Sequence, residues 1–304
     1  MKNYFVLAAV FMLPLMSCKK DKPTEPDPEN TAPSVPAFIE APDDGEVGTE
    51  TSFEVTWSTS IDADNDPVKY NLYLGTNADD IVGVAAALTV TNYTVSGLSL
   101  GTTYFLKVEA YDGVNTAVAS EVREFTTSNT GSFTDSRDGT VYGTELIGGQ
   151  IWMKENLQYN SGSSYSYDDN AANDDSYGRL YEWSSVSGAI PDGWHLPTDD
   201  EWKTLETTLG MPTGDLNING YSLPRGTDQG TKLKEGGGSG LDFPLAGFRS
   251  GGTYSAKDNR TYLWVNSTEG SNIFRRRLVT ADPSVYRFTN PAGDFAISIR
   301  LVKD

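Results

Sequence analysis

Apolar and polar residues alternate in short runs along residues 33–127, and this alternation predicts a fold made of strands. Phe53, Val55 and Trp57 occupy every second position of one run, so they would share one face of a strand. Later runs, including the one that ends at Tyr111, alternate in the same way, with Gly, Asp and Asn between them. The pattern predicts an all-β sandwich of two antiparallel sheets.

Helical spacing appears in the second half of the chain. Thr198 and Glu201 have the spacing of a capping box, and apolar residues then recur at helical intervals. Residues 198–209 are therefore predicted to form an amphipathic helix. A similar spacing predicts a second helix from about residue 178 to residue 186.

The amino terminus carries a positive residue, Lys2, followed by an apolar run that ends just before Ser17 and Cys18. The run is shorter than the roughly 20 residues that span a bilayer. Its junction resembles a bacterial lipobox, which implies a signal peptide over residues 1–17 and acyl chains on Cys18. An ordinary secretory signal and a spanning helix remain open alternatives.

Residues 18–32 contain the predicted lipidated cysteine and a stretch rich in proline and charge, which is typical of an extended tether. The 304-residue chain has a formal net charge of -19, which argues against nucleic acid as a partner because phosphate recognition depends on Lys and Arg. The expected location is the bacterial outer membrane, on its periplasmic or extracellular face, with contact to the membrane through the lipid anchor.

The sequence LSLGTTYFLKVEAYD (98–112), together with Trp57, resembles the fibronectin type III family over residues 33–127. In that family a corner tyrosine, here Tyr104, returns its hydroxyl to nearby backbone. The resemblance implies an immunoglobulin-like sandwich that acts as a spacer or a protein-contact surface.

Asp62, Asp64 and Asp66 stand at alternate positions in one predicted loop, where they could bind calcium with hard oxygen ligands. An EF-hand would require Gly where the chain has Pro67 and Glu where it has Tyr73. The alternative is a solvated turn, since Asp and Asn favour turn conformations. Calcium is the one cofactor considered for this chain; otherwise none is expected.

Residues 128–132 are small and polar and predict a linker. Beyond it, residues 133–304 contain six blocks that together resemble the Fibrobacter major paralogous (FISUMP) domain of bacterial surface proteins. The blocks are GGQIWMKENL (148–157), YGRLYEW (177–183), GWHLPTDDEW (193–202), AGFR (246–249), YLWVNST (262–268) and SIRLVKD (298–304). The resemblance implies an α+β fold, similar to sulfatase-modifying factors and more distantly to C-type lectins.

The chemistry available to this second segment argues against an enzyme. The oxidases related in fold use a pair of cysteines, whereas Cys18 is the only cysteine here. His195, the only histidine, precedes a helix and is expected to hydrogen-bond backbone and fix a turn. A glycan hydrolase would need only two carboxylates. The candidates lie in one acidic loop, Asp168, Asp169, Asp174 and Asp175, and at the start of one helix, Asp199, Asp200 and Glu201. A solvated or calcium-holding loop explains the first group as well, and helix capping explains the second.

Binding is the favoured alternative to catalysis. Alternation along a strand would place Arg275 and Arg277 on one face, where they could contact an anionic glycan or a carboxylate. Trp264 and Asn266, an aromatic residue beside an amide, are further candidates for ligand contact. The alternative for the arginines is an edge strand protected by charge.

The sequence thus predicts a non-catalytic, lipid-anchored surface protein that binds a glycan or a protein partner in adhesion or recognition. A structural or assembly role in the cell envelope is the second hypothesis. A glycan-acting hydrolase is the third.

Overall fold

A computed structural model describes residues 29–115 and 117–304. Cys18 and the predicted signal peptide lie outside the described residues. No helix in the described ranges combines the length and the apolar composition needed to cross a bilayer.

The first half of the chain folds into an antiparallel sandwich of short strands, as predicted. Its strands are β1 (Phe38–Glu40), β2 (Glu46–Thr49), β3 (Phe53–Trp57), β4 (Lys69–Gly75), β5 (Val82–Leu88), β6 (Asn92–Val95), β7 (Thr103–Tyr111), β8 (Val118–Ala119) and β9 (Arg123–Thr127). One sheet has the order β1-β3-β6, and the other has the order β2-β9-β7-β4-β5 with β8 paired to β7; only β2 and β9 pair in parallel.

The alternating positions of this domain form its core. Val55 and Trp57 of β3 are buried against Leu72, Val108 and Phe125 of the facing sheet. The corner tyrosine also behaves as the resemblance implied, because the hydroxyl of Tyr104 accepts a hydrogen bond from the backbone amide of Ser99 at 3.0 Å. Period-two patterning therefore predicts which side of β3, β4, β7 and β9 faces the interior.

The second half of the chain is also mainly β, with short helices. Its strands are β10 (Thr130–Thr134), β11 (Val141–Ile147), β12 (Gln150–Met153), β13 (Ser164–Tyr165), β14 (Leu180–Glu182), β15 (Trp194–His195), β16 (Pro224–Arg225), β17 (Ala246–Ser250), β18 (Thr253–Lys257), β19 (Arg260–Glu269), β20 (Asn272–Val279), β21 (Val285–Asn290), β22 (Ala296–Ile297) and β23 (Val302–Lys303). Its α-helices are α1 (Asp174–Tyr177), α2 (Trp183–Ala189), α3 (Asp199–Thr208) and α4 (Gln229–Leu233), and two 3-10 turns cover Tyr167–Asp169 and Ala171–Asn173.

These strands form a five-stranded sheet, β10-β11-β12-β23-β15, and a nine-stranded sheet, β13-β14-β22-β17-β19-β20-β21-β16 with β18 paired to β17. The long strands β19, β20 and β21 have an apolar cluster on each face. One cluster contains Trp264 and Leu301, and the other contains Trp152 and Trp202. Because both faces are covered, these strands are buried along most of their length.

Helix α3 confirms the predicted capping box. The hydroxyl of Thr198 accepts a hydrogen bond from the amide of Glu201 at 3.3 Å, and the carboxylate of Glu201 accepts one from the amide of Thr198 at 2.7 Å. The helix predicted from about residue 178 is wrong in its first part. Leu180 and Tyr181 instead lie in β14 between β13 and β22, so the helix begins only at Trp183.

The connection between the two domains is short. Residues 128–132 were predicted as a linker, and β10 begins within that range, at Thr130, and pairs with β11 of the second domain. The amide of Leu146 donates to the carbonyl of Asn129 at 2.8 Å, and the amide of Gly101 donates to the carbonyl of Ser128 at 2.9 Å. The connecting residues thus contact both domains directly.

Five buried charged side chains join α3 to the nine-stranded sheet. Glu206 Oε1 accepts hydrogen bonds from Arg225 Nη2 at 2.6 Å and from Arg276 Nε at 2.7 Å. Asp199 accepts from Arg276 Nη1 at 2.9 Å and from Nε and Nη2 of Arg287, both at 2.8 Å. Burial opposes ionisation of Asp199, yet Arg287 and Arg276 hold its pKa well below the usual range. The helix is therefore docked by ion pairs as well as by Trp202 and Leu205.

We expect the substitution Glu206→Gln to destabilise the second domain by about 3 kcal/mol, because it leaves the buried guanidinium of Arg225 without a carboxylate and removes one of the two carboxylates that pair with Arg276. Urea unfolding followed by tryptophan fluorescence would measure this, since five of the six tryptophans lie in the second domain. Asp200→Asn on the same helix is the control, because that side chain is 92% exposed and should change stability by less than about 0.5 kcal/mol. Equal effects of the two substitutions would contradict the role assigned to the network.

A candidate ligand-binding cleft

The sequence correctly places Arg275 and Arg277 on one face of a strand, but that face is not available to a ligand. Their side chains are only 3% and 7% exposed. The edge-strand alternative is also wrong, because β20 lies between β19 and β21 in the middle of the sheet. Strand alternation gives the shared face, whereas the burial of that face depends on elements distant in sequence.

Aromatic rings cover both guanidinium groups. Arg275 lies 4.5 Å from the ring centroid of Trp264 and 5.1 Å from that of Phe295, and burial lowers its pKa to about 10. Arg277 lies between Tyr221 and Tyr286, at 4.3 and 3.9 Å. Stacking of this kind stabilises a buried cation. These arginines therefore fill the interior and hold aromatic side chains in place.

The other two predicted ligand contacts, Trp264 and Asn266, differ in their exposure to solvent. Trp264 is completely buried, and its indole nitrogen donates to the carbonyl of Tyr181 at 2.8 Å. Asn266 is exposed, and its backbone amide donates to the carbonyl of Pro197 at 2.8 Å. Trp264 and Asn266 therefore do not form a common surface with the two arginines.

The aspartates of the predicted calcium loop are engaged with backbone. Asp62 Oδ1 accepts from the amides of Asp64 at 2.9 Å and Asp66 at 3.2 Å, and Asp64 Oδ2 accepts from the amide of Thr31 at 2.6 Å. Within residues 29–115 and 117–304, no three Asp, Glu, His or Cys side chains converge as a group able to hold a metal. The turn-forming role explains most of these contacts.

The acidic residues considered for hydrolysis have two different surroundings. Asp169 accepts a hydrogen bond from the hydroxyl of Tyr254. Asp168, next to it, is exposed and has a left-handed backbone with φ of 56°. Asp175 is exposed at the start of α1, on the rim of a recess described next.

The second domain contains a cleft of about 740 Å³ between the end of α1 and the loops that flank α4 and β18. A smaller recess of about 120 Å³ adjoins it and shares Ser176, Asp242 and Pro244 with it. The cleft and recess are lined by Lys154, Glu155, Asn156, Gln158, Asp175, Ser176, Tyr177, Gly178, Lys234, Glu235, Asp242, Phe243, Pro244, Leu245, Asp258 and Thr280.

The lining of the cleft is acidic. It has five carboxylates, those of Glu155, Asp175, Glu235, Asp242 and Asp258. Its two lysines are already engaged. The ammonium of Lys234 donates to the carbonyls of Val279, Thr280 and Asp282 at 2.7 to 3.0 Å, and that of Lys154 lies 3.9 Å from Glu145. The cleft thus offers mainly hydrogen-bond acceptors to a ligand.

Two of these carboxylates are positioned by left-handed backbone, which Asp tolerates better than most residues. Asp242 has a φ of 43°, and its Oδ1 accepts from the amide of Gly236 at 3.0 Å. Asp258 has a φ of 61°, and its Oδ1 accepts from the hydroxyl of Tyr177 at 2.6 Å, a bond that raises the pKa of Tyr177 to about 12. In the described part of the chain, only Oδ1 of each carboxylate has a hydrogen-bond donor.

The floor of the cleft rests on Arg300, which is fully buried. Its guanidinium stacks on Phe243 at 4.0 Å and donates to Asn156 Oδ1 at 3.1 Å and to the carbonyl of Leu241 at 2.7 Å. Burial lowers the pKa of Arg300 to about 9. Because Phe243 and Asn156 themselves line the cleft and its recess, this one side chain fixes both walls.

His195 lies away from the cleft and has a different role from the one predicted. Its Nε2 is 2.7 Å from Glu201 Oε1, and its Nδ1 is 2.7 Å from Asp304 Oδ1. The imidazole thus joins the start of α3 to residue 304 through carboxylates, and not through backbone. Burial disfavours the charged ring, but hydrogen bonds to Glu201 and Asp304 outweigh it and raise the pKa of His195.

This pairing predicts that the second domain loses stability as the pH rises above about 6.5. A histidine whose pKa is raised by folding stabilises fully below its unfolded pKa, near 6.5, and the stabilisation disappears through the folded pKa. The midpoint of urea unfolding should fall as the pH rises above about 6.5, and His195→Gln should remove this fall. An identical pH dependence in the two proteins would exclude the imidazole as its cause.

Comparisons with known proteins match the two halves of the chain separately. The model of the fibronectin type III domain matches residues 40–126. A similar solved structure is a Fn3-like protein from Clostridium thermocellum, 22% identical over 31% of this chain and 93% of that chain, with a TM-score of 0.25. Another is the fibronectin type-III domain of human fibronectin type III domain containing protein 3, 28% identical over 34% and 92%, with a TM-score of 0.26. Among curated proteins, no sequence matches significantly.

The second half is matched by the family model described as the Fibrobacter succinogenes major domain, over residues 146–303. This match covers just over half of the 304 residues and includes every residue that lines the cleft. The chain therefore belongs to the family defined by the Fibrobacter succinogenes major domain, which it carries behind a fibronectin type III domain.

Proposed function

We propose that this protein is a non-catalytic surface lipoprotein whose second domain binds a glycan in the acidic cleft. The observation that carries the proposal is the cleft itself, a concave polar site of about 740 Å³ bordered by Tyr177. Binding sites for small ligands are typically concave, with a few convergent polar groups. A broad apolar face would instead have favoured an assembly role.

The chemistry of the lining suits a ligand rich in hydroxyl groups. Ionised carboxylates only accept hydrogen bonds, and a sugar supplies many O–H donors. Asp242 and Asp258 each present an oxygen, Oδ2, that has no donor among the described residues. Tyr177 adds a half-buried aromatic ring at the edge of the cleft. A neutral glycan or one with amino groups fits these acceptors better than a uronic acid, whose charge the five carboxylates would repel.

The remaining features agree with a recognition role at a surface. We infer that Cys18 carries the lipid anchor to the outer membrane and that the fibronectin type III domain acts as the spacer. The similarity of the second domain to C-type lectins belongs to the same proposal. Catalysis is the weaker alternative because this domain lacks cysteine and its one histidine is held between Glu201 and Asp304.

A structural role in the envelope remains the second candidate, and one observation favours it. Of the twelve large apolar side chains most exposed in the described chain, nine lie in the first domain. Examples are Val82, Val84 and Val90, which are 57%, 40% and 52% exposed. Apolar groups left in solvent often mark contact surfaces. Such contacts would involve the first domain and leave the cleft free.

The proposal predicts binding on an array of neutral, amino and acidic oligosaccharides by the chain that carries both domains. For the best glycan, Asp242→Asn should weaken binding about tenfold or more, since a hydrogen bond to a charged group contributes roughly 1.5 to 3 kcal/mol. Asparagine tolerates the same left-handed backbone, so the loop should persist. Asp192→Asn, at an exposed position outside the cleft, is the matched control and should bind like the wild type.

Absence of binding to every glycan would refute the proposal and favour assembly through the first domain. Release of reducing sugar from a bound glycan would replace binding with hydrolysis as the function. Equal binding by the Asp242→Asn and Asp192→Asn variants would exclude the cleft as the site.

A further inference from the structure

A second cavity, of about 700 Å³, lies at one end of the first domain, far in sequence from the proposed glycan cleft. It is bordered by the loop of residues 59–66 and by residues 89–92, which connect β5 to β6. The loop contains the aspartates that the sequence marks as possible calcium ligands. The hydrogen bonds between these aspartates and backbone do not by themselves require a ligand.

Two buried oxygen atoms of residues that line this cavity point to one. Asp62 is 7% exposed, and Oδ1 accepts two backbone amides while Oδ2 has no partner among the described residues. Ser60 is 4% exposed, and its hydroxyl is likewise unpartnered in the described ranges. Both residues line the cavity. Burial of a carboxylate oxygen without a partner is costly, so a ligand that pairs with these oxygens would stabilise the loop.

The charges of the residues that line the cavity determine which class of ligand could bind there. Asp66 and Asn65 also line the cavity, and they add a second carboxylate and an amide oxygen to those of Asp62 and Ser60. No Lys or Arg lines it. An anion would be repelled, and a neutral donor would leave the two carboxylates uncompensated. A small, hard cation is the ligand class that oxygen donors of this kind bind.

We propose that this cavity binds one calcium ion, with Asp62 and Asp66 as the charged ligands and Ser60 and Asn65 as neutral ones. Calcium accepts six to eight oxygen ligands in irregular geometry, including water, whereas magnesium demands a near-ideal octahedron. Asp64 takes no part, because it does not line the cavity and its carboxylate accepts a hydrogen bond from the amide of Thr31. With only two carboxylates, the expected dissociation constant is roughly 1 mM, as in many extracellular modules.

Thermal unfolding of the full chain in 10 mM calcium and in EDTA tests the proposal. Calcium should raise the melting temperature of the first domain by roughly 6 to 11 °C, because a ligand at about ten times its dissociation constant stabilises the native state. Magnesium at the same concentration should produce a much smaller rise. Asp62→Asn should abolish the response to calcium, whereas Asp64→Asn, which removes the same charge outside the cavity, should retain it.

Terbium luminescence provides a readout that does not depend on how stable the variants are. Tyr70 lines the cavity and would sensitise a bound terbium ion, and millimolar calcium should then displace the ion and quench the signal. Equal responses to calcium and magnesium, equal responses of the two variants, or terbium luminescence that calcium leaves unchanged would each overturn the proposal.

Discussion

The second domain depends on the ion pairs that dock helix α3 onto its central strands. Asp199 and Glu206 are the two buried acids of that helix, and Arg225, Arg276 and Arg287 reach them from three different strands. A buried charge is tolerated only with its partners in place, so the network specifies one position of the helix and one register of the strands. Apolar packing around Trp202 is less directional than these hydrogen-bonded ion pairs.

The same strands explain how the second domain accommodates several buried arginines. β20 directs Arg276 towards the acids of α3 and directs Arg275 and Arg277 to the opposite face, where rings cover them. On one face of β20, carboxylates pair with the guanidinium charge. On the other face, the electron-rich surfaces of aromatic rings attract it. On the surface, three consecutive basic residues would attract anions. Here they are buried and hold the aromatic rings and the acids of α3 in place.

Local patterns in the sequence are sufficient for much of this fold, but not for its cleft. Alternation predicts the sandwich, and the spacing of Thr198 and Glu201 predicts the start of α3, because each depends on neighbours within a few positions. The burial of Arg275 depends on strands that pair across the whole domain. The cleft brings together segments around residues 155, 175, 240 and 258. No short pattern connects those segments, so its acidic lining could not be predicted.

The direct passage from β9 to β10 has a mechanical consequence. Two residues, Ser128 and Asn129, separate these strands, and their carbonyls accept hydrogen bonds from the first and the second domain respectively. If a force acts between the amino terminus of the protein and a ligand bound in the cleft, that force passes along the backbone into β10. That strand is hydrogen-bonded to β11 over five paired positions, so its edge of the sheet would carry the load first. The short connection would therefore transmit a force from one domain to the other with little extension of its own.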